Sequence, residues 1–382
     1  MKLGLLASFY PEVLGGAEAS LDVLLGGYRR AEMNHVLFTL SGATPISADT
    51  VQVPHFQHVP RKLKIGGLSI LDLLLGRQLP PLIRRHGVDL LHVQDTYSIC
   101  GGVKGAEAAK VPVVLTCMNN IGVPYESFGV CFPVSSWLNA RDINVLKAVR
   151  KCSLVVAISN YVARQLITAG VPAPRVKTIY TAGTMAAYSL NPWPRDHETL
   201  HVLAIGRLYY YKGFQNLLLA TKQLVTEGKD IRVMIVGRGP YARNLSQLAR
   251  DLKLGDHIHF QGFVPNSRTW SAYEWSDAVV VPTITPEPFG RVVVEAMSRG
   301  RPVIGTNVGG IPEIISDGET GYLVAPGCPQ AIAERLRVLE EQRDLIERMG
   351  RAAISKCRER FDRDVITQQL KAAYESVGNL AG

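Results

Sequence analysis

Two carboxylates bracket a short apolar stretch in the segment EPFGRVVVE, residues 287–295. Glu287 precedes Pro288, and a residue before a proline disfavours the helical conformation, so we expect Glu287 on a loop. A helix can start only after this point. Glu295 then lies in the second turn of that helix.

The start of this helix is suited to an anionic ligand. The backbone N–H groups near Gly290 and Arg291 should face the same space as the Glu287 side chain. A helix N-terminus suits a phosphate, and carboxylates suit sugar hydroxyls because each oxygen accepts two hydrogen bonds. The alternative is that both acids only offset the helix dipole.

Two cations follow an apolar run in the segment HVLAIGRLYYYKGF. Arg207 and Lys212 bracket a turn, and the glycines on either side of it, Gly206 and Gly213, permit a tight backbone there. At the carboxyl end of a strand, both cations could neutralise the charge that develops on a departing diphosphate. Solvated cations on a surface loop are the alternative.

Glycines follow two other apolar runs. Gly15 and Gly16 stand between the first predicted strand and the first predicted helix, where the backbone can approach a ligand closely, or where they form only a turn. Gly237, Gly239 and Ala242 form G-x-G-x-x-A, the dinucleotide fingerprint, which favours a dinucleotide-dependent oxidoreductase. Against that alternative, the motif lies in mid-chain, and the next apolar run, HIHFQG, ends without the required acid.

No metal site is predicted. The six cysteines form no C-x-x-C pair, and the histidines show no ligand spacing. Asp362 and Asp364 resemble a D-x-D motif, but their pattern is that of a charged C-terminal helix. We therefore expect no metal and no cofactor.

The elements that carry these motifs alternate between short apolar runs and longer helical patterns, which predicts parallel sheets. A chain of 382 residues exceeds the roughly 250–300 residues of one core. We predict an α/β protein with two doubly wound Rossmann-like domains facing a central cleft. The expected segments are a first domain over 1–186, a proline-containing linker over 187–199, a second domain over 200–355 and a C-terminal segment over 356–382.

Positive charge is concentrated in the first domain. Residues 1–186 hold 18 Lys and Arg against 11 Asp and Glu, and the remaining residues hold 24 against 22. Arg61, Lys62 and Lys64 precede the apolar stretch LSILDLLLG, and Arg84 and Arg85 follow it. Such a stretch attracts an anionic membrane surface or an anionic substrate, or is simply a solvated helix face. The sequence contains no basic motif interleaved with aromatic residues, so it does not predict nucleic-acid binding.

The expected location is cytoplasmic. No uninterrupted apolar run reaches the ~18 residues of a membrane span, and the cysteine spacing suits reduced thiols. The basic stretch extends this expectation to peripheral attachment at the inner face of the membrane.

Taken together, several motifs resemble family 4 of the retaining glycosyltransferases. The resemblance covers most of the chain and is densest from residue 200 to 327. The motifs are GG at 15–16, GRLYYYKG at 206–213, GRGP at 237–240, GFV at 262–264, EPFGRVVVEAMSRGRPVIGT from 287 and VGGIPEIISDGETGYLV from 308.

This resemblance implies a GT-B fold. The second domain would hold a UDP-, GDP- or ADP-sugar, the first would hold the acceptor, and the C-terminal helix would cross back onto the first domain. By position in the motifs, Arg207 and Lys212 would clamp the diphosphate, Glu295 would accept from ribose hydroxyls, and Glu287 from sugar hydroxyls. Other expected substrate contacts are Gly15, Gly16, Asn119, Gly206, Gly237, Phe263, Val264, Phe289, Gly290 and Arg291.

The family transfers sugars with retention and without a metal. Because the first domain is basic, we expect a lipid-linked or cell-surface glycan intermediate as acceptor, with a soluble small molecule as the alternative. One departure from the family pattern is TCMNN after the PVVL run, where Met118 and Asn119 replace the usual histidine and acid. Either Asn119 or Asn120 substitutes, or the sugar differs, or the protein binds a nucleotide-sugar without turnover.

Overall fold

The computed structural model describes residues 1–8, 16–40, 49–54, 56, 69–119, 136–182, 198–265 and 268–378. The chain divides into two compact units. The first comprises Met1–Pro124, Cys131–Thr184 and Arg363–Gly382, and the second comprises Tyr125–Val130 and Met185–Asp362. Of the predicted linker, 187–199, only the last two residues fall within the described part of the chain.

The first unit is built on a parallel sheet. Its strands are β1 (Leu3–Ala7), β2 (His35–Thr39), β3 (Thr50–Gln52), β4 (Leu90–Val93), β5 (Val113–Cys117), β6 (Leu154–Ala157) and β7 (Val176–Thr178). Their spatial order is β3-β2-β1-β4-β5-β6-β7, and every pairing is parallel. All residues of β1 and β4 are buried, as expected for central strands covered on both faces.

The described residues of this unit form six helices: α1 (Gly16–Arg30), α2 (Ser69–Arg85), α3 (Ile99–Ala109), α4 (Ser136–Val149), α5 (Asn160–Thr168) and α13 (Arg363–Gly378). Although α13 comes last in sequence, its apolar side chains lie in the same core cluster as Leu5 of β1 and Leu25 of α1.

A buried polar network links α13 to this sheet. The Tyr374 hydroxyl is hydrogen-bonded to the Tyr28 hydroxyl of α1 and lies 2.6 Å from Nδ1 of His92 on β4. Nε2 of His92 lies 2.7 Å from the Thr116 hydroxyl on β5. Burial lowers the pKa of His92 to about 3, so the imidazole is neutral at neutral pH.

The second unit repeats this architecture. Its strands are β8 (Leu200–Ile205), β9 (Ile231–Val236), β10 (Ile258–Gly262), β11 (Ala278–Val281), β12 (Val303–Thr306) and β13 (Gly321–Val324). They form a parallel sheet in the order β10-β9-β8-β11-β12-β13. Its helices are α6 (Phe214–Thr226), α7 (Ala242–Asp251), α8 (Trp270–Trp275), α9 (Arg291–Ser298), α10 (Ile311–Ile314), α11 (Pro329–Glu341) and α12 (Asp344–Arg360).

The predicted fold class, two doubly wound Rossmann-like domains, is confirmed. Two strands are absent from the sequence prediction, β3 and β7, which are three residues long and only partly buried at the sheet edges. The C-terminal segment 356–382 contains the end of α12 and all of α13, with the break between Arg360 and Arg363. None of the helices in the described ranges combines the length and apolar character that a bilayer span requires.

Candidate active site

The expected site residues of the second unit gather at the point where strand order reverses. β8 and β11 are neighbours in the sheet, with β9 and β10 beyond β8 and β12 and β13 beyond β11. In sheets of this kind a crevice forms at the carboxyl ends of two such strands, because their connections leave toward opposite faces. The loop after β8 carries Arg207 and Lys212, and the loop after β11 carries Glu287.

These two loops touch each other. The Tyr211 carbonyl oxygen accepts hydrogen bonds from the backbone N–H of Ile284, at 2.8 Å, and from the Thr283 hydroxyl, at 3.1 Å. Gly213 has a φ of 73°, and a Cβ atom there would lie 1.8 Å from the Pro282 carbonyl oxygen. Only glycine therefore permits this close approach.

As a result, two residues that lie 75 positions apart in sequence form an ion pair, between the Lys212 ammonium and the Glu287 carboxylate. Their side chains are 20% and 19% exposed. This partial burial strengthens their attraction relative to a surface pair, while both groups remain accessible to a ligand.

A third loop, after β12, fixes the backbone of Glu287. The Gly310 N–H donates to the Glu287 carbonyl oxygen at 2.8 Å. Gly309 has a φ of 62°, and a Cβ atom there would lie 2.1 Å from the same oxygen. The motif VGG at 308–310 thus fits against the residue whose side chain pairs with Lys212.

Helix α9 begins at Arg291, so Glu287 lies on the preceding loop and Glu295 in the second turn, as predicted from Pro288. Gly290 precedes the helix with a φ of 110°. Nη2 of Arg291 donates to Oε1 of Glu295 at 2.9 Å, and both side chains are largely buried.

Sequence reasoning missed a second contact of Glu295. The Tyr273 hydroxyl, on α8, donates to Oε2 of Glu295 at 3.1 Å. Tyr273 lies in a six-residue helix, WSAYEW, 22 positions before Glu295, and no spacing rule connects the two. The Glu295 carboxylate is therefore held by donors from two helices, Arg291 of α9 and Tyr273 of α8.

Arg207 is exposed on the loop after β8, with its guanidinium carbon 5.6 Å from the centre of the Tyr209 ring. The Lys212 ammonium lies 5.8 Å from the centre of the Tyr211 ring, and the two rings stack with centres 5.4 Å apart. Both cations therefore lie beside a stacked aromatic pair. Among the described residues, Arg207 forms no ion pair with a carboxylate, so the structure does not bring it to Glu287 as it does Lys212.

Four further expected residues follow strands on the β8 side of the sheet. Gly206 follows β8, and Gly237 follows β9 and donates its N–H to the Gly262 carbonyl oxygen at 2.8 Å. Phe263 and Val264 follow β10. Phe263 is 51% exposed, and the guanidinium carbon of Arg238 lies 4.4 Å from the centre of its ring.

The Phe289 side chain is only 2% exposed and packs edge-on against the Phe361 ring, with centres 5.8 Å apart. Only the backbone of Phe289 can therefore face a ligand.

In the first unit, Gly16 is the first residue of α1, and Gly15 and Asn120 lie outside the described residues. Asn119 is exposed, and its amide donates to the Thr96 hydroxyl at 3.4 Å. Met118 lines a cavity of about 30 Å³ between α1, α13 and the carboxyl ends of strands. Of the basic stretch, Arg61, Lys62 and Lys64 also lie outside the described residues.

The dinucleotide fingerprint occupies a position without the features that such a site needs. Gly237 and Gly239 follow β9, which lies one strand away from the reversal of strand order. The next strand, β10, ends at Gly262 without an acidic residue. The geometry therefore gives no support to the oxidoreductase alternative.

No group of three His, Cys, Asp or Glu side chains within the described ranges is arranged to hold a metal ion.

Comparison with known proteins gives matches over both units. A family model described as glycosyl transferases group 1 matches residues 190–356, and one described as glycosyltransferase family 4 matches residues 14–182. The chain is 25% identical to an N-acetyl-alpha-D-glucosaminyl L-malate synthase of Bacillus anthracis, over 99% of this chain and 98% of that protein. It is 28% identical to WcaL of Salmonella typhimurium, a putative colanic acid biosynthesis glycosyltransferase, over 75% of this chain and 71% of that protein.

Among solved structures, the chain resembles HepE of Anabaena, crystallised in complex with UDP and glucose. The TM-score is 0.77 and the identity 24%, with coverage of 98% of this chain and 100% of that chain. This similarity shows that the two proteins share the GT-B fold.

Proposed function

The chain belongs to the family 4 glycosyltransferases, and we propose that it moves a sugar from a nucleotide-sugar to an acceptor hydroxyl with retention of anomeric configuration. One observation carries the donor site. Glu287 lies on the loop before α9, and Glu295 lies in the second turn of α9, at the reversal of strand order. Lys212 forms an ion pair with Glu287. An anion at the start of α9 would lie between two carboxylates suited to hydroxyl groups.

The proposed roles follow from charge and position. The diphosphate lies at the start of α9, where Arg207 and Lys212 neutralise it. Glu295 accepts from the ribose hydroxyls, and Glu287 accepts from hydroxyls of the transferred sugar. The donor is a UDP-, GDP- or ADP-sugar, and the UDP and glucose bound by HepE support this class.

In the proposed reaction, the acceptor oxygen forms a bond to the anomeric carbon as the bond from that carbon to the phosphate oxygen breaks. Attack and departure take place on the same face of the sugar. The acceptor proton passes to the departing phosphate oxygen, and the nucleoside diphosphate leaves. Arg207, Lys212 and the dipole of α9 stabilise the developing negative charge without a metal. Turnover should therefore be unchanged after dialysis against EDTA, and a strict requirement for a divalent metal would contradict this mechanism.

A thermal-shift panel of UDP, GDP and ADP, and of the sugars that they carry, tests the donor proposal. A ligand at 100 times its Kd should add roughly 2.7 kcal/mol to the free energy of unfolding. Stabilisation by NAD(H) and by none of these nucleotides would favour an oxidoreductase instead. Binding without transfer to any acceptor would favour the alternative of a nucleotide-sugar binding protein, which Met118 and Asn119 in place of the usual histidine and acid suggest.

For the acceptor, we propose a lipid-linked or cell-surface glycan intermediate at an anionic membrane surface. The support is an exposed face of α2. Leu73 and Leu74 are 47% and 36% exposed near its start, and Arg84 and Arg85 are exposed at its end. Exposed leucines and exposed cations on one helix suit a membrane interface, and each near-surface cation adds about 1 kcal/mol of attraction. The similarity to WcaL supports a polysaccharide pathway.

The alternative acceptor is a small soluble molecule, which the similarity to the N-acetyl-alpha-D-glucosaminyl L-malate synthase supports. Co-sedimentation with anionic vesicles at low and high salt separates the two, because salt screens the attraction. The double variant Leu73→Ser/Leu74→Ser should lose vesicle binding. Leu219→Ser, at an equally exposed leucine of the second unit, should keep it. A wild-type protein that ignores anionic vesicles at low salt would favour the soluble acceptor.

A further inference from the structure

The Glu295 carboxylate is oriented by two side chains. Its Oε1 accepts from Arg291 at 2.9 Å and its Oε2 accepts from the Tyr273 hydroxyl at 3.1 Å. Arg291 is one turn away on the same helix, whereas Tyr273 belongs to α8. The contact with Tyr273 thus ties the carboxylate to a second element, which restricts rotation of the glutamate side chain.

Tyr273 is in turn held on several sides. It is fully buried, and its carbonyl oxygen accepts from Nε of Arg301 at 2.8 Å and from the Ser276 hydroxyl at 3.0 Å. The guanidinium carbon of Arg299 lies 4.8 Å from the centre of its ring, and Nη1 of Arg299 donates to the Glu295 carbonyl oxygen at 2.9 Å. Arg299 therefore bridges the tyrosine ring and the backbone of the glutamate.

Arg301 occupies a position that is unusual for a charged side chain. It is 1% exposed, although burial of a guanidinium group is unfavourable unless the group is well hydrogen-bonded. Besides its bond to Tyr273, its Nη2 lies 3.5 Å from the Glu274 carbonyl oxygen. Both carbonyls are in the last turn of α8, where a cation is favoured by the helix dipole. Arg301 thus fixes the end of α8 that carries Tyr273.

We propose that Tyr273 and Arg301 are positioning residues for the ribose subsite: Arg301 holds Tyr273, and Tyr273 holds the Glu295 carboxylate in the orientation that accepts the ribose hydroxyls. This inference rests on the proposed function, since it needs a nucleotide at Glu295. A vicinal diol requires acceptor oxygens at defined positions, and a glutamate that rotates freely loses affinity for it. Burial raises the pKa of Tyr273 well above its ordinary value, so the hydroxyl remains a donor throughout the working pH range.

Tyr273→Phe removes only the hydroxyl and is expected to leave the fold intact. Affinity should be measured calorimetrically for UDP, GDP and ADP, and then for the 2′,3′-dideoxy analogue of the one that wild type binds best. We expect affinity for the ribose form to fall about tenfold, from loss of a hydrogen bond to a charged group, and affinity for the dideoxy form to change by less than about twofold. This difference separates a positioning role from a general structural one.

Tyr322→Phe is the matched control. Tyr322 is also buried in the second unit, and the guanidinium carbon of Arg335 lies 4.8 Å from the centre of its ring, as Arg299 does at Tyr273. This control should bind both forms as wild type does. Arg301→Met should repeat the selective loss for the ribose form, and Arg301→Lys should restore part of it.

Each other outcome overturns a stated part of the argument. Unchanged affinity in Tyr273→Phe, or equal losses for the ribose and dideoxy forms, would overturn the positioning role and leave the proposed function standing. A wild-type protein that binds none of the three diphosphates would overturn the proposed function, and the positioning role with it.

Discussion

Replacement of Lys212 by methionine removes one charge from the candidate site and keeps most of the side-chain volume. Lys212 pairs with Glu287 on the neighbouring loop, and the two side chains are 20% and 19% exposed. The substitution therefore leaves a largely buried carboxylate without its cation, in the place where the proposed reaction develops negative charge on a diphosphate. Both effects oppose the transition state.

The expected loss of turnover follows from the role of such cations. Removing one group that stabilises transition-state charge lowers kcat roughly 10²- to 10³-fold, or about 2.7–4 kcal/mol. The stability change should be smaller. Exposed ion pairs contribute about 0–1 kcal/mol and breaking a buried pair costs about 3–5 kcal/mol, so we expect about 1–3 kcal/mol for this partly buried pair.

Lys229→Met provides a matched control in the same unit. Lys229 is 24% exposed and pairs with Glu340 at 2.9 Å and Glu341 at 2.7 Å, away from the reversal of strand order. Chemical denaturation should show no larger stability loss for Lys229→Met than for Lys212→Met, whereas steady-state kinetics should show a loss of kcat in Lys212→Met alone. A Lys212→Met enzyme that keeps more than about a tenth of wild-type kcat would refute the assigned role.

Glu287→Gln should reduce kcat far more than it reduces affinity for a nucleoside diphosphate, whereas Glu295→Gln should mainly weaken that affinity. Steady-state kinetics and calorimetry on both variants check this prediction. The reverse pattern would exchange the roles assigned to the two glutamates. Gly213→Ala should lower the free energy of unfolding by more than about 2 kcal/mol, because the added Cβ would lie 1.8 Å from the Pro282 carbonyl oxygen. A denaturant titration measures this loss. A variant as stable as wild type would contradict the close approach of the two loops. The folded-state pKa of His92 is about 3, against about 6.5 for an unfolded histidine. Between pH 6.5 and pH 3 the unfolded state therefore binds a proton that the folded state does not. The free energy of unfolding should fall by about 1.4 kcal/mol for each unit by which the pH is lowered in this range. His92→Gln should flatten this part of a plot of unfolding free energy against pH.

Local rules predict much of this molecule. The alternation of apolar runs and helical patterns predicts the doubly wound fold, because central parallel strands are buried on both faces. The steric effect of Pro288 predicts that α9 starts after Glu287. Strands Thr50–Gln52 and Val176–Thr178 escape prediction because three partly exposed residues carry too little periodicity.

The contacts that complete the candidate site are harder to predict, because they depend on distant segments. Arg207 and Lys212 can be assigned to one loop and Glu287 to another, but their different environments follow from how the loops meet at Gly213. Tyr273 reaches Glu295 only because the fold brings α8 and α9, which are separate in sequence, within hydrogen-bond distance at these two side chains. Arg301 would be expected on the surface from its residue type alone. Its burial is explained by the hydrogen bond that it donates to a carbonyl oxygen of α8, which the sequence does not predict.

The packing of α13 has a consequence for synthesis of the protein. Tyr374 and its apolar neighbours on α13 complete the core that β1 and α1 begin, yet residues 185–362 of the other unit are translated in between. At ~5–20 residues per second, a ribosome needs roughly 10–35 s to cover that interval. During this time the nascent first unit exposes the surface that α13 later covers, including the hydroxyl of Tyr28 and the ring of His92. The unit that begins folding first is therefore the one that finishes last.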